Sequence, residues 1–138
     1  MPELRQARIA DIPRLVEIRA AVLENRLTSM TIGPDDYRPF VEDGRCWVAG
    51  TDGAVQAFAA LDAATATIWA LFVDPAYEGR GLGRALVDRL AGEARRRGLT
   101  ALKLETATGT RAERFYLRAG WKAASRERKG ALQMTLSL

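Results

Sequence analysis

The sequence predicts an α/β fold of the α+β kind, with a mixed central sheet of about seven strands flanked by about four helices. Three observations carry this. An apolar run ending at Val73 stops at Asp74-Pro75, and a loop with three glycines then runs straight into an amphipathic helix. A further strand follows that helix, and a helix between two strands makes them parallel neighbours. Two stretches, 45–61 and 121–136, read as hairpins and add antiparallel pairs.

In chain order, Leu4 to Arg8 reads as the first strand. Asp11 is placed to N-cap a helix running to about Asn25, with Pro13 tolerated in its first turn. Leu15, Ile18 and Val22 give that helix an apolar stripe. A second, shorter helix begins near Pro34, where Asp35 and Asp36 suit the positive end of the dipole and Pro39 keeps it short or irregular. Arg45–Gly50 and Ala54–Leu61 form a hairpin about Asp52-Gly53. Thr65 to Val73 is the fourth strand. The helix from about Leu82 to Arg97 buries Leu82, Leu86, Leu90 and Ala94 at i, i+4 spacing. Ala101 to Glu105 is the fifth strand. A short helix around Phe115-Tyr116 closes on Gly120 as its C′ residue, and Trp121–Arg126 with Leu132–Leu136 form a closing hairpin over Lys129-Gly130.

One domain spanning residues 1–138 fits this length and a hydrophobic content of 48%, enough for a real core. The single cysteine, Cys46, sits in an apolar run beside Trp47 and Val48 and reads as a buried structural thiol. It rules out an internal disulfide and any Cys-x-x-Cys metal knuckle. The first residues lack an apolar stretch of signal-peptide length, and no run could span a bilayer, so a reducing cytoplasm is expected and a membrane is not. Histidine is absent. That excludes Ser-His-Asp and Cys-His nucleophile systems and histidine-ligated zinc, and no metal is expected. Acid–base work falls to carboxylates, tyrosine, lysine, backbone or water. The net charge of +4 is scattered, and its one run, Arg95-Arg96-Arg97, ends a helix where cations complement the dipole. With no ribbon of basic and aromatic residues, no nucleic-acid partner is expected. Monomer and homodimer both remain open.

The chemistry concentrates in Glu78-Gly79-Arg80-Gly81-Leu82-Gly83-Arg84. Residues without a Cβ let the backbone approach a ligand, and the helix that follows offers unpaired N–H groups at its positive end. Such a loop cradles phosphate. It is not a Walker A loop, because Arg84-Ala85 stands where Lys-Ser/Thr is needed. Nor does Gly-x-Gly-x-Gly in mid-chain match the dinucleotide fingerprint of a first βαβ unit.

The loop resembles the pyrophosphate loop of the GNAT-type N-acetyltransferase superfamily, usually Gln/Arg-x-x-Gly-x-Gly/Ala. Glu78 takes the place of the usual Gln or Arg, and the resemblance implies that its side chain points away while the backbone amides bind coenzyme A. A second segment, Ala112 to Trp121, resembles the family's Ala-x-x-Phe-Tyr-x-x-x-Gly-Phe, with Phe115-Tyr116 in register and Trp121 for the last Phe. The family often has Asn seven residues before the Tyr, where this chain has Gly109. The two segments occur in the family's order and separation. The match covers residues 65–128 well, and 1–64 only in the pattern of elements.

The resemblance implies a sheet splayed between its fourth and fifth strands, with acetyl-coenzyme A in the gap as acetyl donor. It implies a cofactor site of Leu71, Phe72, Val73, Glu78, Gly79, Arg80, Gly81, Leu82, Gly83, Arg84, Gly109, Ala112 and Phe115. The reaction implied is direct attack of a primary amine on the thioester. Backbone N–H groups of Leu71, Phe72 and Val73 would receive the carbonyl oxygen, and Tyr116 would protonate the leaving thiolate as general acid. The fourth strand carries no carboxylate where many family members have a base, leaving Glu105, Glu24 or a water chain. Glu24, Asn25, Trp69 and Asp62 are candidates for the acceptor groove, though Trp69 equally suits a core. A small molecule, a peptide N-terminus and a lysine all remain open as the amine. The alternative is a catalytically silent acyl-coenzyme A sensor, which would bind and not turn over.

Overall fold

A computed structural model describes residues 2–23, 32–107, 109–128 and 131–138. Among these, seven strands run in chain order as β1 (Glu3–Gln6), β2 (Cys46–Gly50), β3 (Ala57–Asp62), β4 (Thr67–Val73), β5 (Ala101–Ala107), β6 (Lys122–Arg128) and β7 (Ala131–Ser137). Four α-helices accompany them: α1 (Ile12–Leu23), α2 (Pro34–Glu42), α3 (Leu82–Arg96) and α4 (Arg111–Arg118). The strands form a sheet of order β1-β2-β3-β4-β5-β7-β6. Every neighbouring pair is antiparallel except β4 and β5, which the intervening α3 makes parallel. This is the mixed sheet that the sequence predicts.

Both faces of the sheet are covered. Leu15 and Ile18 of α1 and Tyr37 and Val41 of α2 pack with Val48, Phe58, Ala60 and Ala70 on one side. On the other, the Leu82-Leu86-Leu90-Ala94 stripe of α3 and Tyr116 of α4 pack with Ala57, Ala59, Leu61, Leu102, Leu132 and Met134. A strand buried on both faces has no polar alternation, which explains the unbroken Ala57-Phe58-Ala59-Ala60-Leu61 of β3. Leu86 and Leu90 are fully buried, each worth about 1.5–3 kcal/mol relative to exposure.

Several boundaries differ from expectation for local reasons. Asp11 does not cap α1. Its carboxylate accepts from the Arg8 N–H at 2.7 Å and from Arg5 at 2.8 and 3.0 Å, closing a 3₁₀ turn at Ile9–Asp11 before α1 starts. Pro39 lies inside a nine-residue α2. The carbonyl it leaves without an N–H partner belongs to Asp35, and both residues are exposed to water. The Asp52-Gly53 turn forms, with φ of 54° and 78° and the Ala54 N–H on the Thr51 carbonyl at 3.0 Å, but β3 starts only at Ala57. At the end of α3, Arg96 and Arg97 both bond the buried Glu93 carboxylate, Arg97 at 2.6 Å, so the basic run balances a buried charge as well as the dipole. The Lys129-Gly130 turn lies outside the described residues.

The chain end of α4 is closed as expected. Gly120 takes φ 95°, Trp121 N–H reaches the Tyr116 carbonyl at 3.0 Å and Gly120 N–H the Leu117 carbonyl at 3.2 Å. This Schellman closure brings the Trp121 ring edge-on to Tyr116, centroids 5.4 Å apart.

Candidate functional site

β4 and β5 pair at Thr67–Lys103, where Lys103 N–H donates to the Ala66 carbonyl at 2.9 Å, and no further pair follows along either strand. Beyond that point the strands part. A bulge then decides which peptide groups face the gap. Ala60 pairs with Ala70 but Leu61 with Ile68, so Trp69 is the extra residue of β4. Ala66 turns its carbonyl toward β5, whereas Asp74, eight residues on, turns its N–H to Gln56 of the β3 side at 2.9 Å. In a regular strand both would face the same way; the bulge reverses the alternation. The N–H groups of Leu71 and Val73 therefore face the gap. That of Phe72, expected to join them, faces β3.

Asp74 anchors the loop that follows. Its carboxylate accepts from Ala76 N–H at 3.0 Å and from Arg14 at 2.6 Å, and these bonds, the backbone one first, hold its pKa below the usual carboxylate range. After the 3₁₀ turn Pro75–Tyr77, Gly79 and Gly81 take φ of 79° and 80°. A Cβ at either would meet no atom within 4 Å, so the glycines are required by backbone conformation and open space, not by packing. Gly83 is different. A Cβ there would lie 3.4 Å from the Phe115 ring, an ordinary contact, so at this position α3 already runs close to α4. Gly81 caps α3 without a side-chain acceptor, which leaves the first N–H groups of a fifteen-residue helix without a side-chain partner at the loop.

The loop, the parted strand and α4 enclose a cleft of about 680 Å³. Leu71, Phe72 and Val73 line it from β4, and Glu78, Gly79, Gly81, Leu82, Gly83 and Arg84 from the loop. Ala112, Phe115 and Tyr116 line it from α4. Tyr116 is only 8% exposed, and burial raises its phenol pKa well above the ordinary value. Its ring stands edge-on to Phe115 at 5.1 Å.

Other expected residues lie elsewhere. Glu78 does not point away: it lines the cleft and pairs with Arg111 at 3.4 Å. Arg80 is outside the lining, its guanidinium 5.3 Å from the Tyr77 ring centroid. Gly109, also outside, takes φ 72° and donates its N–H to the Glu113 carboxylate at 2.7 Å. Trp69 is packed against Phe40 at 4.4 Å and Tyr37 at 5.4 Å, away from the cleft lining. Asp62 caps the β3–β4 turn through Ala64 N–H at 3.1 Å, at the far end of β4. Glu105 is exposed on β5 opposite Gln133. Glu24 and Asn25 lie outside the described residues.

The cleft also takes in Ala21 and Val22 of α1, Tyr77, Arg111 and Arg118. Arg111 and Arg118 flank Phe115 at i−4 and i+3, a helical spacing that would have found them. Val22 reads in the sequence as core stripe. Among the described lining residues three are arginines (84, 111 and 118) and one an acid, Glu78, so this part of the cleft is cationic.

A family model described as the acetyltransferase (GNAT) family matches residues 15–121. Mycothiol acetyltransferase of Beutenbergia cavernae is 38% identical over 81 residues, 54% of this chain. The match spans 27% of that relative's length. Among solved structures, a GCN5-related N-acetyltransferase from Rhodopseudomonas palustris superposes with a TM-score of 0.82 at 25% identity, covering 100% of this chain and 96% of that one. YncA of Salmonella typhimurium, a structure with its cofactor acetyl-CoA, superposes with a TM-score of 0.79 at 25% identity, covering 99% and 94%.

Proposed function

The chain belongs to the acetyltransferase (GNAT) family, and from that premise we propose that it moves an acetyl group from acetyl-coenzyme A to a primary amine. The observation that carries this is the conjunction in one cleft of a glycine loop at a helix start, a parted strand with two amides turned into the gap, and a buried tyrosine. The residues present fit the coenzyme. Gly79 and Gly81 leave the loop backbone open to a pyrophosphate, and the N-terminus of α3 offers N–H donors to it. Arg84, Arg111 and Arg118 supply positive charge along the same wall.

The coenzyme, when bound, would supply a thioester as acetyl donor, a nitrogen–carbon bond replacing its carbon–sulfur bond while the amine gives up a proton to solvent. Leu71 and Val73 offer their N–H groups to the carbonyl oxygen as it gains charge, in a site already ordered for that purpose. Tyr116 keeps its proton at neutral pH, because burial disfavours the phenolate, and donates it to the departing sulfur. Phe115 and Trp121 hold the Tyr116 ring in place by edge contacts on two sides. Among the described residues no carboxylate lines the gap beside the two amides, which favours water as the acceptor of the amine's proton.

The test is thiol release from acetyl-coenzyme A across a panel of amines, run beside calorimetry of coenzyme binding. Acceptor-dependent release supports the reading. Tight coenzyme binding with no release from any amine would leave a binding domain instead.

A further inference from the structure

α1 turns two arginines toward the sheet, and they are served differently. Arg14 has Asp74 at 2.6 Å and Glu17 beside it, with its Nε on the Val55 carbonyl at 2.9 Å. Arg19, on the cleft side of Arg14, takes part in no ion pair among the described residues, and its Nη1 is buried without a hydrogen-bond partner. Aromatic rings hold the guanidinium instead: Phe72 at 4.9 Å and Trp69 at 5.8 Å from its central carbon. Stacking satisfies the faces of the group and does nothing for the in-plane Nη1 donor.

Beside it stands a second orphan. Tyr37 is fully buried and its hydroxyl makes no hydrogen bond of good geometry. Burial raises its pKa, while the Arg19 charge and a side-chain hydrogen-bonding approach from Arg19 pull the other way, so the two groups are direct neighbours. A buried polar atom left unserved is costly, and a charged one more so. One carboxylate would answer both, accepting from the guanidinium and the phenol together. The cluster borders the cleft: Phe72 lines it, and so does Val22, one turn beyond Arg19 on α1, with Arg19 and Tyr37 behind that wall. Phe72 sits between the two residues whose amides face the gap.

We propose that Arg19, framed by Trp69 and Phe72 and backed by the Tyr37 hydroxyl, anchors a carboxylate on the acetyl acceptor. The substrate class is therefore an amine that also bears a carboxylate: an amino acid, or a peptide presenting its acid group. This rests on the acyl-transfer reading above and narrows it. Arg19 is an acceptor-binding residue, not one that touches the thioester.

The experiment compares matched acceptors on the whole chain: glycine, β-alanine, γ-aminobutyrate, ε-aminocaproate and a short peptide, each against its primary amide. Thiol release gives kcat/KM for each, and calorimetry on the coenzyme A-loaded protein gives the same ratio without turnover. Carboxylate members of the best pair are expected to be favoured roughly tenfold or more, mainly in KM, as a charge-assisted pair requires. Arg19→Gln should erase that ratio and leave coenzyme affinity unchanged, and Arg19→Lys should keep part of it. Equal use of acid and amide by the wild type, or an undiminished ratio in a folded Arg19→Gln, overturns the proposal. If the variant does not fold, the wild-type ratio decides alone. Loss of coenzyme binding in the wild type would instead overturn the acyl-transfer reading.

Discussion

Glu78 of the glycine loop and Arg111 at the start of α4 meet at 3.4 Å across the mouth of the cleft. The acid stands where related loops carry Gln or Arg, and the pair brings a cation back to that place from another element. Exposed pairs of this kind add little to stability. Their effect belongs to ligand charge. Arg111→Ala should therefore weaken coenzyme A binding about three- to tenfold and flatten its salt dependence. Glu78→Gln should hold or tighten it, because Arg111 then has only phosphate to pair with. Calorimetry at two salt concentrations reads both; a tighter Arg111→Ala complex would sink the idea.

The loop glycines should separate by assay. Gly81 sits at φ 80°, where a side chain costs roughly 1–2 kcal/mol in backbone strain and would intrude on the phosphate path. Gly81→Val is expected to lose most coenzyme affinity while remaining folded. Gly83→Ala instead sets a Cβ in ordinary contact with Phe115 inside α3, so melting temperature should hold or rise with affinity little changed. The opposite assignment of effects would show that the two roles have been exchanged.

Tyr116→Phe keeps both edge contacts and removes one proton. Turnover should drop roughly 10²-fold with coenzyme affinity almost unchanged, since the lost bond is made only as sulfur departs. The raised pKa adds a pH signature: the wild type should show no loss of kcat from this group below about pH 10. Full turnover in the Phe variant would return Tyr116 to the core and hand the proton to water.

Cys46 is fully buried, and burial pushes its thiol up to about 12. The sign follows: a folded pKa above the unfolded one makes the native state the tighter proton binder. Its contribution is complete below the ordinary thiol value near 8.5 and declines as pH rises through about 12. Denaturant unfolding at rising pH should show stability falling in this window, and less steeply in Cys46→Ala. A thiol reagent should label the native protein only as fast as it opens. Rapid labelling at neutral pH would contradict the burial.

Much of this was legible in the residues. The α3 stripe, the Asp52-Gly53 turn and the Gly120 closure are set by local chemistry, and each stands where spacing puts it. The glycine loop announced the cleft for the same reason. What spacing cannot carry is long-range pairing. Nothing in Glu78 foretells Arg111, thirty-three residues away. Asp11 reads as a helix cap until Arg5 reaches it from β1. The reversal in β4 is hidden for a related cause, because a bulge is visible only against the partner strand. Hence Phe72 reads with Leu71 and Val73 as an amide donor to the gap, while its N–H turns to β3.

The extra residue in β4 makes the chain unequally tolerant of inherited change. Losing a single codon at Trp69 would leave composition and hydrophobicity nearly as they were, and the first residues of the strand could pair as before. Yet every peptide unit from there to Asp74 would exchange its two sides, and the hydrogen-bond donors would be presented to the neighbouring strand instead of to a substrate. Substitutions at Leu71 or Val73 are forgiving, because the working atoms there belong to the main chain. Insertions and deletions of one residue in β4 are not, whereas a pair of them would cancel. The segment between Ala66 and Asp74 is thus constrained in length more tightly than in residue type, a constraint that residue identities alone do not express.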